Sequence, residues 1–149
     1  DFERRKARSL RINSPLVKLR VQVVDVPLFG SIPAGFASSR EQAAEGCISI
    51  DINSIGFKPT AYTFALRVKG DSMIGRHIVS GDIAIFDQAQ EPLHGDIVAA
   101  LVDGQSTLKT YFLRDGKPFL KAENPNYPDQ APAEELVIQG VLKAIIRGA

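Results

Sequence analysis

Cysteine occurs once in this 149-residue sequence, at Cys47, and histidine only at His77 and His94. A single cysteine excludes an internal disulfide and an all-cysteine zinc site. Cys47 itself reads as a small, half-buried residue just before the strand Ile48-Ser49-Ile50. No apolar run approaches the ~20 residues that a bilayer-spanning helix needs, and no signal-peptide pattern opens the chain. The expectation is therefore a cytoplasmic protein without a membrane partner. A formal net charge of +1 names no partner by itself, and no cofactor or metal is expected. Apolar residues at 44% and charged residues at 23% are ordinary for a globular protein. The length suits one compact core and is short for two.

What charge there is lies unevenly. Arg4, Arg5, Lys6, Arg8 and Arg11 crowd the start, followed by Lys18 and Arg20. Residues 1–20 read as a solvated basic linker, or as an arm beside a nucleic-acid-binding module upstream, since clustered cations supply the phosphate-neutralising part of such binding. The first residue is Asp1 rather than methionine, which is expected of a piece of a longer protein. No recognition helix or aromatic stacking platform stands within these residues.

From residue 21 onward the pattern is of short strands with turn punctuation. Val21–Val26 is β-rich and is expected to end at Pro27, leading into an extended or looped stretch from Leu28 to Phe36. Tyr62–Lys69 reads as a strand with Tyr62, Phe64, Leu66 and Val68 on one face. Gly81-Asp82 opens the strand Ile83–Phe86, and Ile97–Val102 is apolar enough to lie centrally in a sheet. Asp103-Gly104 and Asp115-Gly116 are hairpin dipeptides, because both turn positions tolerate positive φ. They bracket Gln105–Arg114. Asn124-Pro125-Asn126-Tyr127-Pro128 is a loop, and the apolar run Leu136–Ile146 follows it. A short helix is expected around Met73–His77. The fold class is mainly β, partly barrel-like and mostly antiparallel, with residues 21–149 as one domain.

Two residues carry the chemistry. Ser72 follows a strand and a tight turn in Gly70-Asp71-Ser72-Met73, which exposes its hydroxyl and leaves the backbone N–H groups of Ser72 and Met73 free for an oxyanion. A Gly-Asp-Ser sequence is also an ordinary turn or helix cap. Asp71 is read as holding the turn, since adjacent residues face different ways. A serine needs a base to take its proton. His77 lies too close in sequence for relaxed geometry, and His94 reads as part of a surface turn. Lys109, in the strand Thr107-Leu108-Lys109-Thr110-Tyr111, can serve if it is neutral. Bringing a lysine from about 10.4 to about 7 amounts to roughly 4.6 kcal/mol, within the reach of desolvation. A lone lysine on a strand can equally be a solvated edge residue.

The ordered set Gly70-Asp71-Ser72-Met73, Ser80-Gly81-Asp82, His94-Gly95-Asp96-Ile97-Val98, Thr107-Leu108-Lys109 and Glu123-Asn124-Pro125-Asn126-Tyr127 resembles the LexA/UmuD family of self-cleaving SOS proteins. The resemblance runs from about Val26 to Arg147. It implies a serine peptidase acting in cis, with Ser72 as nucleophile and Lys109 as general base. Its substrate would be the chain's own Ala34-Gly35 bond, within a cleavage segment spanning 27–37. Small residues there let the backbone approach the hydroxyl. The resemblance also implies a homodimer and acceleration by the RecA–single-stranded DNA filament.

Members of that family differ in what precedes the cleavage segment. Repressors of the LexA type carry a domain that binds operator DNA, whereas UmuD-type proteins carry a short arm and join an error-prone polymerase. Arg4–Arg11, Glu45-Gly46 and Ile138-Gln139-Gly140-Val141 lean toward a repressor; Phe29 and the Gly-Asp-Ser-Met spelling lean toward UmuD. The reading is the C-terminal part of a LexA-like transcriptional repressor of the DNA-damage response. Its alternatives are a UmuD-like polymerase subunit, a signal-peptidase-like protease acting in trans, and a β-rich dimerisation module that does not cleave.

Overall fold

Two Asp-Gly pairs shape the second half of the chain. Asp103 and Gly104 have φ of 49° and 83°, and Asp115 and Gly116 have φ of 53° and 76°. Positive φ at both central residues is the hairpin geometry that matches strand twist. The computed structural model describes residues 22–32, 44–88, 91–128 and 135–147. Its strands are β1 Val23–Phe29, β2 Gly46–Asp51, β3 Thr63–Arg67, β4 Ile83–Asp87, β5 Ile97–Val102, β6 Gln105–Arg114, β7 Lys117–Lys121 and β8 Leu136–Ile146. A single helical turn, α1 Ile52–Ile55, follows β2, and a 3-10 turn, Ile74–Arg76, follows Ser72.

The eight strands form one sheet in the order β2-β1-β3-β4-β8-β5-β6-β7. Only β1 and β3 pair in parallel, through Leu28–Ala65 and Phe29–Leu66. The mainly β, mostly antiparallel expectation therefore holds. The order is open, ending at β2 and β7, yet the sheet bends back on itself. The Ile32 N–H, just past β1, donates to Ser106 Oγ on β6 at 3.1 Å. β1 and β6 stand five places apart in the sheet, about 24 Å if it were flat. The bend has a visible source in β8, which offers one extra residue against each neighbour. Its register slips against β4 between Ile85 and Phe86, and against β5 between Ala99 and Ala100. Each such bulge bends its strand.

The main core lies inside that bend. It gathers Phe29 from β1, Phe64 and Leu66 from β3, Phe86 from β4, Ile97, Ala99 and Leu101 from β5, and Met73 from the Ser72 turn. Phe64 and Phe86 stack with centroids 5.4 Å apart, and β8 crosses them at Gly140. A Cβ there would lie 2.8 Å from Phe64 Cε1 and 2.9 Å from Phe86 Cβ, so only glycine lets the strand approach. Two smaller clusters cover the other face, one around Val26, Ile50 and Ile85 and one around Val98, Leu120 and Val141.

Several expectations change. β1 does not stop at Pro27 but runs through it to Phe29. The Ile52 N–H donates to the Gln22 carbonyl, so by alternation the even-numbered positions of β1 exchange bonds with β2. Pro27 then lacks a donor only toward β3, where pairing begins one residue later. β3 starts at Thr63, which leaves Tyr62 exposed and off the buried face. The helix expected over Met73–His77 is the shorter 3-10 turn. The run Leu136–Ile146 is a central strand with both edges paired inside the chain. α1 is a single turn, too short to be stable by itself. It forms because the Asp51 side chain accepts the Asn53 N–H at 3.0 Å and Gly56 closes it at φ 79°. The basic arm at residues 1–20 and the bond Ala34-Gly35 lie outside the described residues.

Candidate active site

Ser72 sits where β3 runs out. After Val68, whose N–H and C=O are held by Asp82 and Gly81, Gly70 adopts φ 82° and turns the chain sharply. Met73 then drops its side chain into the main core at 2% exposure. That anchor leaves the preceding serine facing outward. The carbonyl of Asp71 accepts the side-chain amide of Asn124 at 2.9 Å, and its carboxylate accepts the Tyr127 hydroxyl at 2.5 Å. Asp71 thus holds the turn, as its position in the motif implies. The same bond pushes the Tyr127 hydroxyl above its usual pKa, because losing its proton would set it against the Asp71 carboxylate. Among the described residues, the N–H groups of Ser72 and Met73 donate to nothing.

Lys109 reaches this turn from β6, where it pairs with Val98 of β5. Its Nζ lies 3.4 Å from Ser72 Oγ and 2.7 Å from Thr107 Oγ1. Burial holds the amine below the ordinary lysine pKa, since a poorly solvated ammonium is disfavoured. No carboxylate among the described residues offsets that effect by pairing with it. The two side chains line a cleft of about 220 Å³ together with Gly30 and Ser31. Ile32, fixed by Ser106, is the last described residue before the Ala34-Gly35 segment.

Neither histidine takes part. His94 Nδ1 accepts the Leu113 N–H at 3.0 Å, and its ring meets Phe112 edge-on. His77 ends the 3-10 turn at φ 62°, and its carbonyl accepts from Arg147. Among the described residues, no group of His, Cys, Asp and Glu is arranged to hold a metal.

A match to the Peptidase S24-like family model covers residues 27–143. The chain belongs to the Peptidase S24-like family. It is also similar to proteins named LexA repressor, at 49% identity over 126 residues in Verrucomicrobium spinosum, covering 85% of this chain and 62% of that protein. The corresponding protein of Opitutus terrae is 42% identical, with 82% of this chain and 61% of that protein covered. The one of Frankia alni is 39% identical, with 82% and 47% covered. The chain therefore spans less than two thirds of the length of these relatives. The Peptidase S24-like match takes in Ser72, Lys109 and every strand from β2 to β7.

Sequence reasoning did not find four residues that brace this Peptidase S24-like domain. Thr107 was visible only as a strand neighbour of Lys109. Asn124 stood in a motif without an assigned partner. Asp82 and Arg147 are 65 positions apart and meet in a two-pronged ion pair, Nε–Oδ1 at 2.8 Å and an arginine terminal nitrogen to Oδ2 at 2.9 Å. Asp82 is 1% exposed, and the guanidinium holds its carboxyl below the usual carboxylate range.

Proposed function

We propose that this chain is the peptidase portion of a LexA-like repressor of the DNA-damage response, and that it inactivates the repressor by cutting its own Ala34-Gly35 bond. The observation that carries this reading is the meeting of Lys109 Nζ and Ser72 Oγ at 3.4 Å, in a cleft walled by Gly30 and Ser31. Those residues lie just before the bond to be cut. Ala34 is two residues beyond the anchored Ile32, a span of at most about 7 Å.

The chemistry follows from the two side chains. Neutral Lys109 takes the Ser72 proton as Oγ attacks the Ala34 carbonyl carbon. The oxyanion faces the N–H groups of Ser72 and Met73, preorganised donors of the kind that contribute most to such reactions. Lys109 then gives its proton to the Gly35 nitrogen as the C–N bond breaks, leaving Ala34 as an ester on Ser72. A water, deprotonated by the same amine, attacks the ester, releases the Ala34 carboxylate and restores the serine hydroxyl. A tethered substrate needs no strong pocket, because its effective concentration is already high.

The relatives carry the repressor name, which favours operator DNA binding by a preceding region over a polymerase-associated role. In that setting the cations between Arg4 and Arg20 belong to the linker between the parts. Cleavage separates the DNA-binding part from a dimerising one. The RecA–single-stranded DNA filament accelerates cleavage by binding the cleavable conformer more tightly than the resting one.

The test is intact-mass analysis of the 149-residue chain after mildly alkaline incubation, over a dilution series. Two fragments should form at a first-order rate independent of protein concentration, and Ser72→Ala should stay whole. A rate proportional to concentration refutes cleavage in cis, and fragments from Ser72→Ala refute the nucleophile.

A further inference from the structure

The turn that bears Ser72 is too short to hold itself. Its 3-10 segment is three residues long, Ile74–Arg76, and such pieces have little stability of their own. A second segment grips it from outside. The Glu123 carbonyl accepts the Gly75 N–H at 2.7 Å. The Glu123 carboxylate accepts from Arg76 at 3.3 Å and from the Thr110 hydroxyl at 3.0 Å. Asn124, only 5% exposed, donates through Nδ2 to the Asp71 carbonyl and accepts the Asn126 N–H through Oδ1 at 3.0 Å. The Tyr127 hydroxyl completes the grip on Asp71.

We infer that Glu123–Tyr127 is a strap that fixes the nucleophile turn against the strand bearing the base, with Asn124 as its central positioning residue. This rests on the Ser72/Lys109 reading above. The strap holds the turn on both sides of Ser72, at Asp71 and at Gly75. Through Thr110 it is tied to the residue next to Lys109 on β6. The fit is close: a Cβ on Gly75 would lie 2.5 Å from the Glu123 carbonyl oxygen, a backbone atom that no rotamer change can move aside. Lys109 Nζ and Ser72 Oγ stand at the long end of hydrogen-bond reach. A small drift of the turn then breaks the pair, and misplacement by about 1 Å costs on the order of 100-fold in rate.

The experiment compares the wild-type chain with Asn124→Asp, Tyr127→Phe and Ile50→Ala. Asn124→Asp keeps the acceptor for Asn126 but sets an oxygen against the Asp71 carbonyl. Tyr127→Phe deletes one exposed hydroxyl and leaves folding intact. Ile50→Ala loosens the cluster around Val26 and Ile85, away from the cleft, as a control for lost stability. Two quantities are read: the self-cleavage rate as a function of pH, and amide hydrogen exchange over residues 70–78. Asn124→Asp should lower the high-pH plateau by about 100-fold and Tyr127→Phe by about fivefold. The pH midpoint of Tyr127→Phe should not move, because that variant adds no charge near the lysine, and exchange should accelerate in 70–78 in both strap variants. Ile50→Ala should keep the wild-type plateau. Plateaus within twofold of wild type for both strap variants overturn the inference, as does an equal loss in Ile50→Ala. If the wild type fails to cleave, the dyad reading falls, and the strap is judged on exchange alone: unchanged exchange in 70–78 overturns it.

Discussion

Lys109 Nζ lies closer to Thr107 Oγ1, at 2.7 Å, than to Ser72 Oγ, at 3.4 Å. In the proposed mechanism the two hydroxyls have different tasks. A lysine that must accept a proton has to turn its lone pair toward Ser72, and a hydrogen bond donated to Thr107 fixes that orientation. Thr107→Val keeps the β-branched shape and removes only the acceptor. Its self-cleavage rate should fall about tenfold, the cost of one lost orienting bond to a charged-capable group, without being abolished. First-order kinetics by gel or mass check this; a rate equal to the wild type's refutes the role.

The pH dependence follows from the direction of the lysine's shift. Burial lowers the folded-state pKa of Lys109 below the ordinary value of 10.5. Cleavage, which needs the neutral amine, should rise with pH through that lowered pKa and level off before 10.5. Stability moves the same way. Between the folded and unfolded pKa the unfolded chain binds more protons, so this residue's contribution rises with pH across that window. At any pH below the ordinary value of 10.5, a part-buried Lys109 is a burden on the fold. Lys109→Met should accordingly raise Tm at pH 7 while ending cleavage, and the gain should shrink as pH approaches 10.5. Thermal melts at pH 7 and 10 decide it.

Asp82, paired with Arg147, gives the same direction in an acid window. The depressed carboxyl contributes stability above its unfolded value near 3.9, and that contribution is lost as pH falls through the depressed folded value. Arg147→Ala should be strongly destabilising at pH 7, because it leaves a buried carboxylate without its partner. The gap from wild type should narrow at pH 3. Urea midpoints at the two pH values measure both.

Gly140→Ala tests the core. The added Cβ would press on Phe64 and Phe86, and forcing them apart should cost about 1–3 kcal/mol. Equilibrium urea unfolding gives the value. A variant as stable as the wild type would mean that β8 does not cross the phenyl stack this closely.

How much of this was legible in the sequence depended on range. The hairpins at Asp103-Gly104 and Asp115-Gly116 were readable because a turn's chemistry resides in its own two residues. Ser72 and Lys109 stood out because each lies in a short motif with a mechanism attached. Pro27 misled because its effect depends on which edge of β1 is still unpaired, a fact about β3 rather than about proline. Gly140 carried no local signal at all, since its constraint comes from Phe64 and Phe86, more than 50 positions away. Asn124 on Asp71 and Arg147 on Asp82 were hidden for the same reason: polar residues in loops are expected to be solvated, and only the folded sheet makes these pairs neighbours.

The account turns on Lys109 as the base that activates Ser72. The most direct measurement is the intact mass of Lys109→Ala beside the wild type after alkaline incubation, with folding verified by melting. The wild type should divide into residues 1–34 and 35–149, and Lys109→Ala should remain a single folded chain. A Lys109→Ala protein that cuts the same bond at the wild-type rate would contradict the account.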